Sequence, residues 1–293
     1  MLDESKQGLI KKRTWTEDEL AEAAELLALC DAYEGLYTKL DTTMLRARSG
    51  QETDDFLYYM DGQLVGLLSF NSYGHEEREM TGVVHPEYRR EGIFTLLMAA
   101  AREEAKQRGI HRLIVICERF SRSGQGFIEA IGARYDNSEH KMILQKLQER
   151  GPYAEQVRLR KADLHDVDII AFIVSLSFGQ SEEGARRFTA ESMQKPHTAY
   201  YVGEWQGAVV GCLSLSYGDK ETGIYGFGVL PQYRRRGIGR QMVEQVVHII
   251  QAASQKPIAL EVEAGDEDNA IKLYRSCGFK EVTTYGYYHF DIR

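Results

Sequence analysis

Apolar and polar positions follow two different periods along the chain, and the order of these periods is repeated once. Each half opens with helical stretches, "TEDELAEAAELLALCDAYEGL" in the first half and "DVDIIAFIVSLSFG" with "SEEGARRFTAESMQ" in the second. Two strand-like runs then flank a tight turn, at Asp61-Gly62 in one half and Gln206-Gly207 in the other. A third strand ends at Pro86 or Pro231, because proline cannot continue a β-ladder.

A long amphipathic helix follows the third strand in each half. In the second half its apolar positions are Ile238, Met242, Val246 and Ile249 or Ile250, which recur at helical spacing. In the first half Gly109 ends the helix, as a C-terminal glycine does. A further strand, "RLIVIC" or "PIALEVE", then a short helix and closing strands complete each half. The pattern predicts an α/β fold, with α+β character and a mixed sheet, that is built twice.

The two halves are related by one constant offset. Three unconnected landmarks are each 145 residues apart (211 − 66, 231 − 86 and 237 − 92): Gly66 and Gly211, Pro86 and Pro231, Gly92 and Gly237. A constant offset across separate motifs indicates two copies of one domain. We predict these domains at residues 1–150 and 151–293, joined near the polar "QERGPYAEQ" stretch, whose Gly-Pro pair breaks regular structure.

Composition and charge exclude several classes of protein. The net charge of −8 and the pI near 5.6 argue against a dedicated nucleic-acid binder, whose domain is usually basic. The charged N-terminus lacks the apolar core of a signal peptide, and "VDIIAFIVSLSFG" is too short to span a membrane. The widely spaced Cys30, Cys117, Cys212 and Cys277 give no metal-ligand pattern. We therefore expect a cytoplasmic protein with buried free thiols, no metal, and neither nucleic acid nor membrane as a partner.

The stretch "VLPQYRRRGIGRQMV" carries the clearest chemical signal. Arg234, Gly237 and Gly239 form an Arg-x-x-Gly-x-Gly turn between a strand and a helix. Such a turn exposes backbone N–H groups at the positive end of a helix dipole, and glycine lets a bulky anion approach closely. Arginines nearby add attraction for phosphate. The spacing indicates a phosphate-binding turn, and a glycine-rich turn with a solvated basic rim is the alternative.

This stretch resembles the acetyl-CoA-binding signature of the GNAT superfamily of N-acetyltransferases. The resemblance implies that backbone amides of the turn hold the pyrophosphate of coenzyme A. It also implies that the preceding strand splays from its neighbour, with pantetheine in the gap and acetyl-CoA as co-substrate. The residues assigned to pantetheine are Phe227, Val229 and Leu230. Those assigned to the pyrophosphate are Arg235, Arg236, Gly237, Ile238, Gly239 and Arg240.

A second stretch, "NAIKLYRSCGF", also resembles a motif of this superfamily. Asn269 can cap a helix that Gly278 ends. The resemblance implies that Asn269 contacts the pantetheine arm and that Tyr274 lies near the thioester sulfur. A phenol there can protonate the departing thiolate, so Tyr274 is the predicted catalytic residue. The alternative for Tyr274 is an aromatic side chain packed in the core.

The first copy departs from both motifs. Its weaker set of candidate cofactor contacts is Val84, Arg89, Arg90, Gly92 and Ile93. Phe94 replaces the second glycine, and we expect its ring to crowd the phosphate path. Ser123 stands in place of Asn269, and Ile128 in place of Tyr274 cannot donate a proton. Two alternatives stay open for the first copy: weak coenzyme A binding or a structural role.

The acceptor and the general base are less clearly marked. Glu79 in the first copy aligns with Ile224 at the offset of 145, so the second copy lacks that carboxylate. The carboxylates near the second site are not ranked by the sequence: Asp219, Glu221, Glu261 and Glu263. The aromatic "TTYGYYHF" stretch suggests that Tyr285 and Tyr287, with Glu182 and Glu183, receive a cationic amine, and core packing is the alternative.

These observations predict an N-acetyltransferase that moves an acetyl group from acetyl-CoA to a primary amine by direct transfer. The acceptor would be a small-molecule amine or a peptide amine, and the C-terminal domain would do most of the work. A non-catalytic protein that binds or senses acyl-CoA is the alternative. The retained Asn269 and Tyr274 favour the enzyme, since a sensor needs neither.

Overall fold

The computed structural model describes residues 6–71, 77–265 and 270–292, and the chain divides into two compact units. The first unit comprises Met1–Glu139 together with Thr283–Arg293, and the second comprises His140–Val282. The closing segment, which the repeat assigns to the second half, therefore belongs to the first compact unit. The domain boundary at residues 150 and 151 stays a prediction.

The first unit follows the predicted order of elements. Its helices and strands are β1 (Gly8–Lys12), α1 (Glu17–Glu34), α2 (Thr42–Arg46), β2 (Asp55–Met60), β3 (Gln63–Asn71), β4 (Glu77–Val84), α3 (Ile93–Gln107), β5 (Arg112–Glu118), α4 (Arg122–Ile131) and the start of β6 (Arg134–Leu144).

The second unit repeats this order. Its elements are the end of β6, then β7 (Arg158–Lys161), α5 (Val167–Phe178), α6 (Glu182–Ser192), β8 (Thr198–Trp205), β9 (Ala208–Tyr217), β10 (Thr222–Val229), α7 (Ile238–Ala253), β11 (Ile258–Glu263), α8 (Ala270–Cys277) and the start of β12 (Phe279–Asp291).

Each unit is built on a mixed sheet. The strand order is β1-β2-β3-β4-β5-β12 in the first unit and β7-β8-β9-β10-β11-β6 in the second. Neighbours pair antiparallel along most of each sheet, whereas β4 pairs parallel with β5 and β10 with β11. In both units α3 or α7 connects the two parallel strands, as a crossover connection must. The mixed α/β fold class predicted from the sequence is confirmed.

Local sequence signals explain where the elements begin and turn. Thr16 and Glu19 form a capping box at the start of α1, and Gly35 ends it in the left-handed conformation with φ 70°. Asp61-Gly62 and Gln206-Gly207 both have positive φ at each residue, which is the geometry of a two-residue hairpin turn.

Helices cover both faces of each sheet. In the first unit α3 packs on one face with Phe70, Met80 and Leu113, and α1 packs on the other face with Leu57 and Leu67. In the second unit α7 and α8 share a core with Ile224 and Leu260, and α5 packs on the opposite face. The central strands of each sheet are therefore covered by helices on both faces.

The turn between β4 and α3 in the first unit, and between β10 and α7 in the second, is called the anion turn below. One difference between the repeats lies in the strand that precedes this turn. In the second unit the register of β9 and β10 shifts between Tyr225 and Gly228, and Gly226 has φ 55°. This is a β-bulge that inserts one extra residue into β10. In the first unit β3 and β4 pair from Gly66↔Val84 to Asn71↔Glu79 without a shift. The structural counterpart of Glu79 is consequently Gly223, not Ile224, and it too lacks a carboxylate.

The expectation of buried free thiols is confirmed. Cys30, Cys117, Cys212 and Cys277 are buried free thiols, and burial raises the pKa of Cys117 and Cys212 to about 12. Such thiols are not nucleophiles at neutral pH. No helix in the described part of the chain has the length and apolar character needed to cross a membrane.

Candidate active site

The sheet of the second unit opens between β10 and β11. The described residues of these strands pair from Thr222↔Ile258 to Ile224↔Leu260 and no further. β10 nevertheless continues to Val229, and β11 continues to Glu263. Strand edges that lose their neighbour present unpaired N–H and C=O groups, so the gap can receive an extended ligand that carries amides.

Tyr225 and Glu261 occupy the first positions beyond the last strand pair. Leu260 and Val262 face the core beneath α7, so alternation along β11 directs Glu261 to the opposite face, which α5 covers. Glu261 is partly buried. Tyr225 is 43% exposed, and its ring lies over Gly223. A carboxylate and a phenol ring thus border the gap on the α5 side.

The turn between β10 and α7 has the backbone of an anion site. Arg235 and Gly237 adopt left-handed φ values of 64° and 78°. Arg234 Nε donates to the carbonyl oxygen of Val229 at 2.8 Å, which ties the turn to the end of β10. Two left-handed residues in so short a turn direct successive N–H groups to one side.

The first turn of α7 supplies the N–H groups. Gln241 N is the first helical donor, at 3.1 Å from the carbonyl oxygen of Gly237, and no side chain caps the helix. By helix geometry the amides of Ile238, Gly239 and Arg240 therefore lack intrahelical acceptors. These amides, at the positive end of the helix dipole, fit a diphosphate without needing any side chain.

Two of the predicted arginine side chains are engaged within the unit. Arg240 as a whole is 7% exposed. Its guanidinium pairs with Glu244 at 2.9 Å and donates to Ser276 and to the Gln148 carbonyl oxygen. It contributes to the turn only through its backbone. The Arg236 guanidinium lies 5.3 Å from the Trp205 ring centroid.

Tyr274 lies on α8 and faces the gap from the α7 side. Its ring is 6.2 Å from that of Phe227 on β10 and 6.0 Å from that of Phe279, and the residue is 6% exposed. A Cβ atom on Gly239 would approach the Phe227 ring at 3.3 Å. The structure therefore brings together Tyr274, Phe227 and the anion turn.

The remaining predicted contacts lie in different places. Val229 is partly buried in the core beneath α7, next to the end of the gap. Leu230 is 5% exposed and packs in the core beneath α5. Asn269 lies outside the residues that the structure describes.

The first unit preserves the anion turn in detail. Arg90 and Gly92 have φ values of 71° and 83°, and Arg89 Nε donates to the carbonyl oxygen of Val84 at 3.0 Å. Ile93, the first residue of α3, is buried. The Arg89 guanidinium also pairs with Glu34 at 2.7 Å and lies 5.3 Å from the Tyr33 ring.

The expected crowding by Phe94 is wrong. The Phe94 ring packs edge-on against Phe127 at 4.6 Å between centroids, and a Cβ on Gly82 would approach it at 2.7 Å. The ring therefore points into the unit, toward the sheet, and leaves the turn clear.

Chemically reactive side chains distinguish the two units. In the first unit β4 and β5 pair only as far as Met80↔Val115, and we call the end of strand pairing in each unit the split. Thr81 and Ile116 occupy the first positions beyond the split of the first unit. Ile128, at the position of Tyr274, is buried in the core. The first unit thus retains a turn for an anion but has neither a carboxylate nor a phenol at the matching positions.

The structure separates the four carboxylates that the sequence left unranked. Glu221 pairs with Lys141 at 2.5 Å, and Asp219 is exposed in the connection between β9 and β10. Glu263 is exposed beyond the gap. Glu261 is the carboxylate that lies directly beside the split. Neither Glu261 nor Tyr225 could be singled out from the sequence, because the position of the split depends on strand register.

The aromatic closing strand lies elsewhere than expected. Tyr285 and Tyr287 belong to the first unit, where they pair with Glu118 and Ile116 on β5 and are 1% and 6% exposed. They are therefore no part of an acceptor site in the second unit, and the expectation that they join Glu182 and Glu183 there is wrong.

Comparisons with known proteins agree with this geometry. The sequence profile of the Acetyltransferase (GNAT) family matches residues 21–133 and 164–279, which is one match in each half of the chain. An N-alpha-acetyltransferase of Sulfurisphaera tokodaii is 30% identical over 150 residues, which cover 47% of this chain and 88% of that protein.

Two solved structures share the fold over nearly the whole chain. A GCN5-related N-acetyltransferase from Sphaerobacter thermophilus superposes with a TM-score of 0.77 at 20% identity, over 97% of this chain and 96% of that one. A tandem GNAT protein from the clavulanic acid biosynthesis pathway superposes with a TM-score of 0.72 at 16% identity, over 97% and 98%. At such identities the likeness concerns the fold alone.

Proposed function

Because the chain belongs to the acetyltransferase (GNAT) family, we propose that its second unit transfers an acetyl group from acetyl-CoA to a primary amine. The protein is an acetyl-CoA-dependent acyltransferase of tandem GNAT type. One observation carries the assignment to the second unit. There the anion turn, the strand split, Glu261 and Tyr274 all border one gap, whereas the first unit has only the turn and the split.

The turn supports the coenzyme end of the donor. The amides of Ile238, Gly239 and Arg240 donate to the pyrophosphate oxygens, and pantetheine extends along the unpaired edge of β10 past Phe227. This direction places the thioester near the bulge at Gly226. The bulge takes Gly226 and Phe227 out of register opposite Leu213, so backbone amides can turn toward the thioester carbonyl oxygen.

Two side chains support the transfer step. The amine nitrogen forms a bond to the carbonyl carbon, the carbon–sulfur bond breaks, and coenzyme A leaves as a thiolate. Glu261 takes one proton from the ammonium, so that the neutral amine can attack. The nitrogen of the tetrahedral intermediate then loses a second proton to solvent, and the Tyr274 phenol gives a proton to the thiolate and regains one from solvent. Glu261 lies on the α5 face of the gap and Tyr274 on the α7 face. The acceptor is therefore deprotonated on one side of the gap, and the leaving thiolate is protonated on the other.

The acceptor we propose is the α-amino group of a peptide, because the relative from Sulfurisphaera tokodaii is an N-alpha-acetyltransferase. The test is thiol release from acetyl-CoA with a panel of peptide N-termini, free amino acids, polyamines and aminoglycosides. We expect peptides to give the highest kcat/KM. Preference for another amine would replace the peptide as acceptor. Tight binding of acetyl-CoA without thiol release on any amine would favour the acyl-CoA sensor.

Tyr274→Phe is expected to lower kcat by roughly tenfold or more, as loss of a positioned general acid does. The substitution keeps the ring against Phe227 and Phe279 and removes only the hydroxyl. The dissociation constant for coenzyme A, measured by calorimetry, should therefore change little. An unchanged kcat under conditions where chemistry limits the rate would leave Tyr274 as a core aromatic.

A further inference from the structure

An ammonium group is held between two tyrosine rings and a carboxylate within the first unit. Lys39 Nζ lies 2.9 Å from a carboxylate oxygen of Glu139, 5.0 Å from the ring centroid of Tyr287 and 5.5 Å from that of Tyr285. It also donates to the phenol oxygen of Tyr287, whose own proton goes to Glu139. We call Tyr285, Tyr287 and Glu139 the amine cage.

The two aromatic walls of the amine cage are fixed in position. Both tyrosines lie on β12 where it pairs with β5, and both are more than nine-tenths buried. The Tyr285 phenol donates to the carbonyl oxygen of Tyr37 at 2.7 Å. Rigid walls of this kind keep their geometry when the cation between them leaves, which a binding site requires.

The ammonium comes from a less regular part of the unit. Lys39 lies in the connection between α1 and α2, and its side chain is 23% exposed. Backbone bonds hold this connection at Tyr37, whose N–H donates to Glu118 at 3.2 Å, and Thr38 is held by Asp31. Beyond Thr38, Leu40 is buried in the core with α1 and Asp41 caps α2, so the part of this connection that can leave the cage is the Lys39 side chain.

Aromatic faces combined with a carboxylate are the arrangement by which proteins recognise free alkylammonium ions. In place of the acceptor amine expected from the sequence, the aromatic run holds the chain's own Lys39. We propose that the amine cage is a binding site for small alkylammonium ions and that Lys39 is a tethered competitor, which must leave before such an ion can bind.

This site is separate from acetyl transfer in the second unit, so its test does not depend on that proposal. A ligand tethered by a short segment has an effective concentration on the millimolar scale. Free alkylammonium ions should therefore compete with Lys39 at millimolar concentrations, and the Lys39 side chain should leave the cage when they do.

The direct test removes the tethered competitor. Lys39→Ala deletes a side chain whose shape n-butylammonium reproduces, and n-butanol is the uncharged control of the same length. By calorimetry we expect n-butylammonium to bind the full-length variant at least tenfold more tightly than the wild type, and n-butanol to show no binding. The second substitution Glu139→Gln in the Lys39→Ala background should weaken that binding at least tenfold.

A folded Lys39→Ala protein that binds n-butylammonium no more tightly than n-butanol would overturn the proposal. Lys39 would then be a structural contact within the unit. Should the variant not fold, the wild type supplies the test. Lys39 Nζ lies over two tyrosine rings, so ring currents should shift the NMR signals of its side chain. These signals are expected to move toward free-lysine positions with n-butylammonium up to ~100 mM, at ionic strength matched with sodium chloride. Unchanged signals over that range would equally overturn it.

Discussion

Gly237→Asp is expected to abolish acetyl transfer, whereas Gly92→Asp should leave most of it intact. Both glycines begin a helix after an anion turn, with φ values of 78° and 83°, and neither has a heavy atom within 4 Å of the position of a Cβ. The two substitutions therefore impose the same backbone strain in equally open space. They differ only in the unit whose bound anion meets the new carboxylate.

The magnitude follows from that carboxylate. Like charges brought together at a binding site cost several kcal/mol, so kcat/KM for acetyl-CoA should fall roughly 100-fold or more in the Gly237 variant. Steady-state kinetics with the best amine measures this loss, and calorimetry with coenzyme A locates it in binding. Gly237→Ala and Gly92→Ala control for the strain of a side chain at positive φ.

The outcome also decides which unit works. Loss in the Gly92 variant alone would show that the first unit is the catalytic one. Equal losses in two folded variants would mean that both units transfer acetyl groups, although the first has Ile116 and Ile128 where the second has Glu261 and Tyr274.

Local features were predictable from the sequence because their causes are local. The hairpin turns at Asp61-Gly62 and Gln206-Gly207, the amphipathic face of α7 and the glycine at the anion turn each depend on a few neighbouring residues. The repeat also predicted that the order of elements recurs in the second half, since the same local signals recur at the same spacing.

The bulge in β10 was hidden by that same constant spacing. The flanking landmarks, Gly211 and Pro231, keep the offset of 145, so the extra residue at Gly226 must be balanced by one fewer in the preceding connection. Side-chain facing changes with each single-residue step. Only the strand register therefore shows that Tyr225 and Glu261 lie side by side at the split.

Packing between elements also escaped the sequence. In the second unit the ring of Phe227 on β10 lies over Gly239 on α7, and in the first unit the ring of Phe94 on α3 lies over Gly82 on β4. In each unit one aromatic ring fills the space between the strand and the helix, but the strand supplies it in the second unit and the helix supplies it in the first. The sequence predicted that Phe94 obstructs the phosphate path, because the glycine against which its ring packs is twelve residues away in the chain (94 − 82).

Glu261→Gln is expected to lower kcat/KM for the acceptor by roughly 100-fold at neutral pH, the lower range for loss of a general base. An α-amino group has a pKa of about 8, so much of the acceptor is protonated at pH 7 and must lose a proton before attack. Glutamine keeps the size of the side chain beside the split and cannot accept that proton.

The dependence on pH separates a base from a structural carboxylate. Above a pH of about 8 the acceptor is already neutral in solution, so the defect of the variant should shrink as pH rises. A structural role would give a loss that does not depend on pH. Glu263→Gln is the matched control, since Glu263 lies two residues further along the same face of β11 and is exposed. It should leave the rate within about twofold of wild type, as surface substitutions usually do. If Glu263→Gln carries the loss and Glu261→Gln does not, then the base lies at the outer end of the gap, and the acceptor enters past the split instead of beside it.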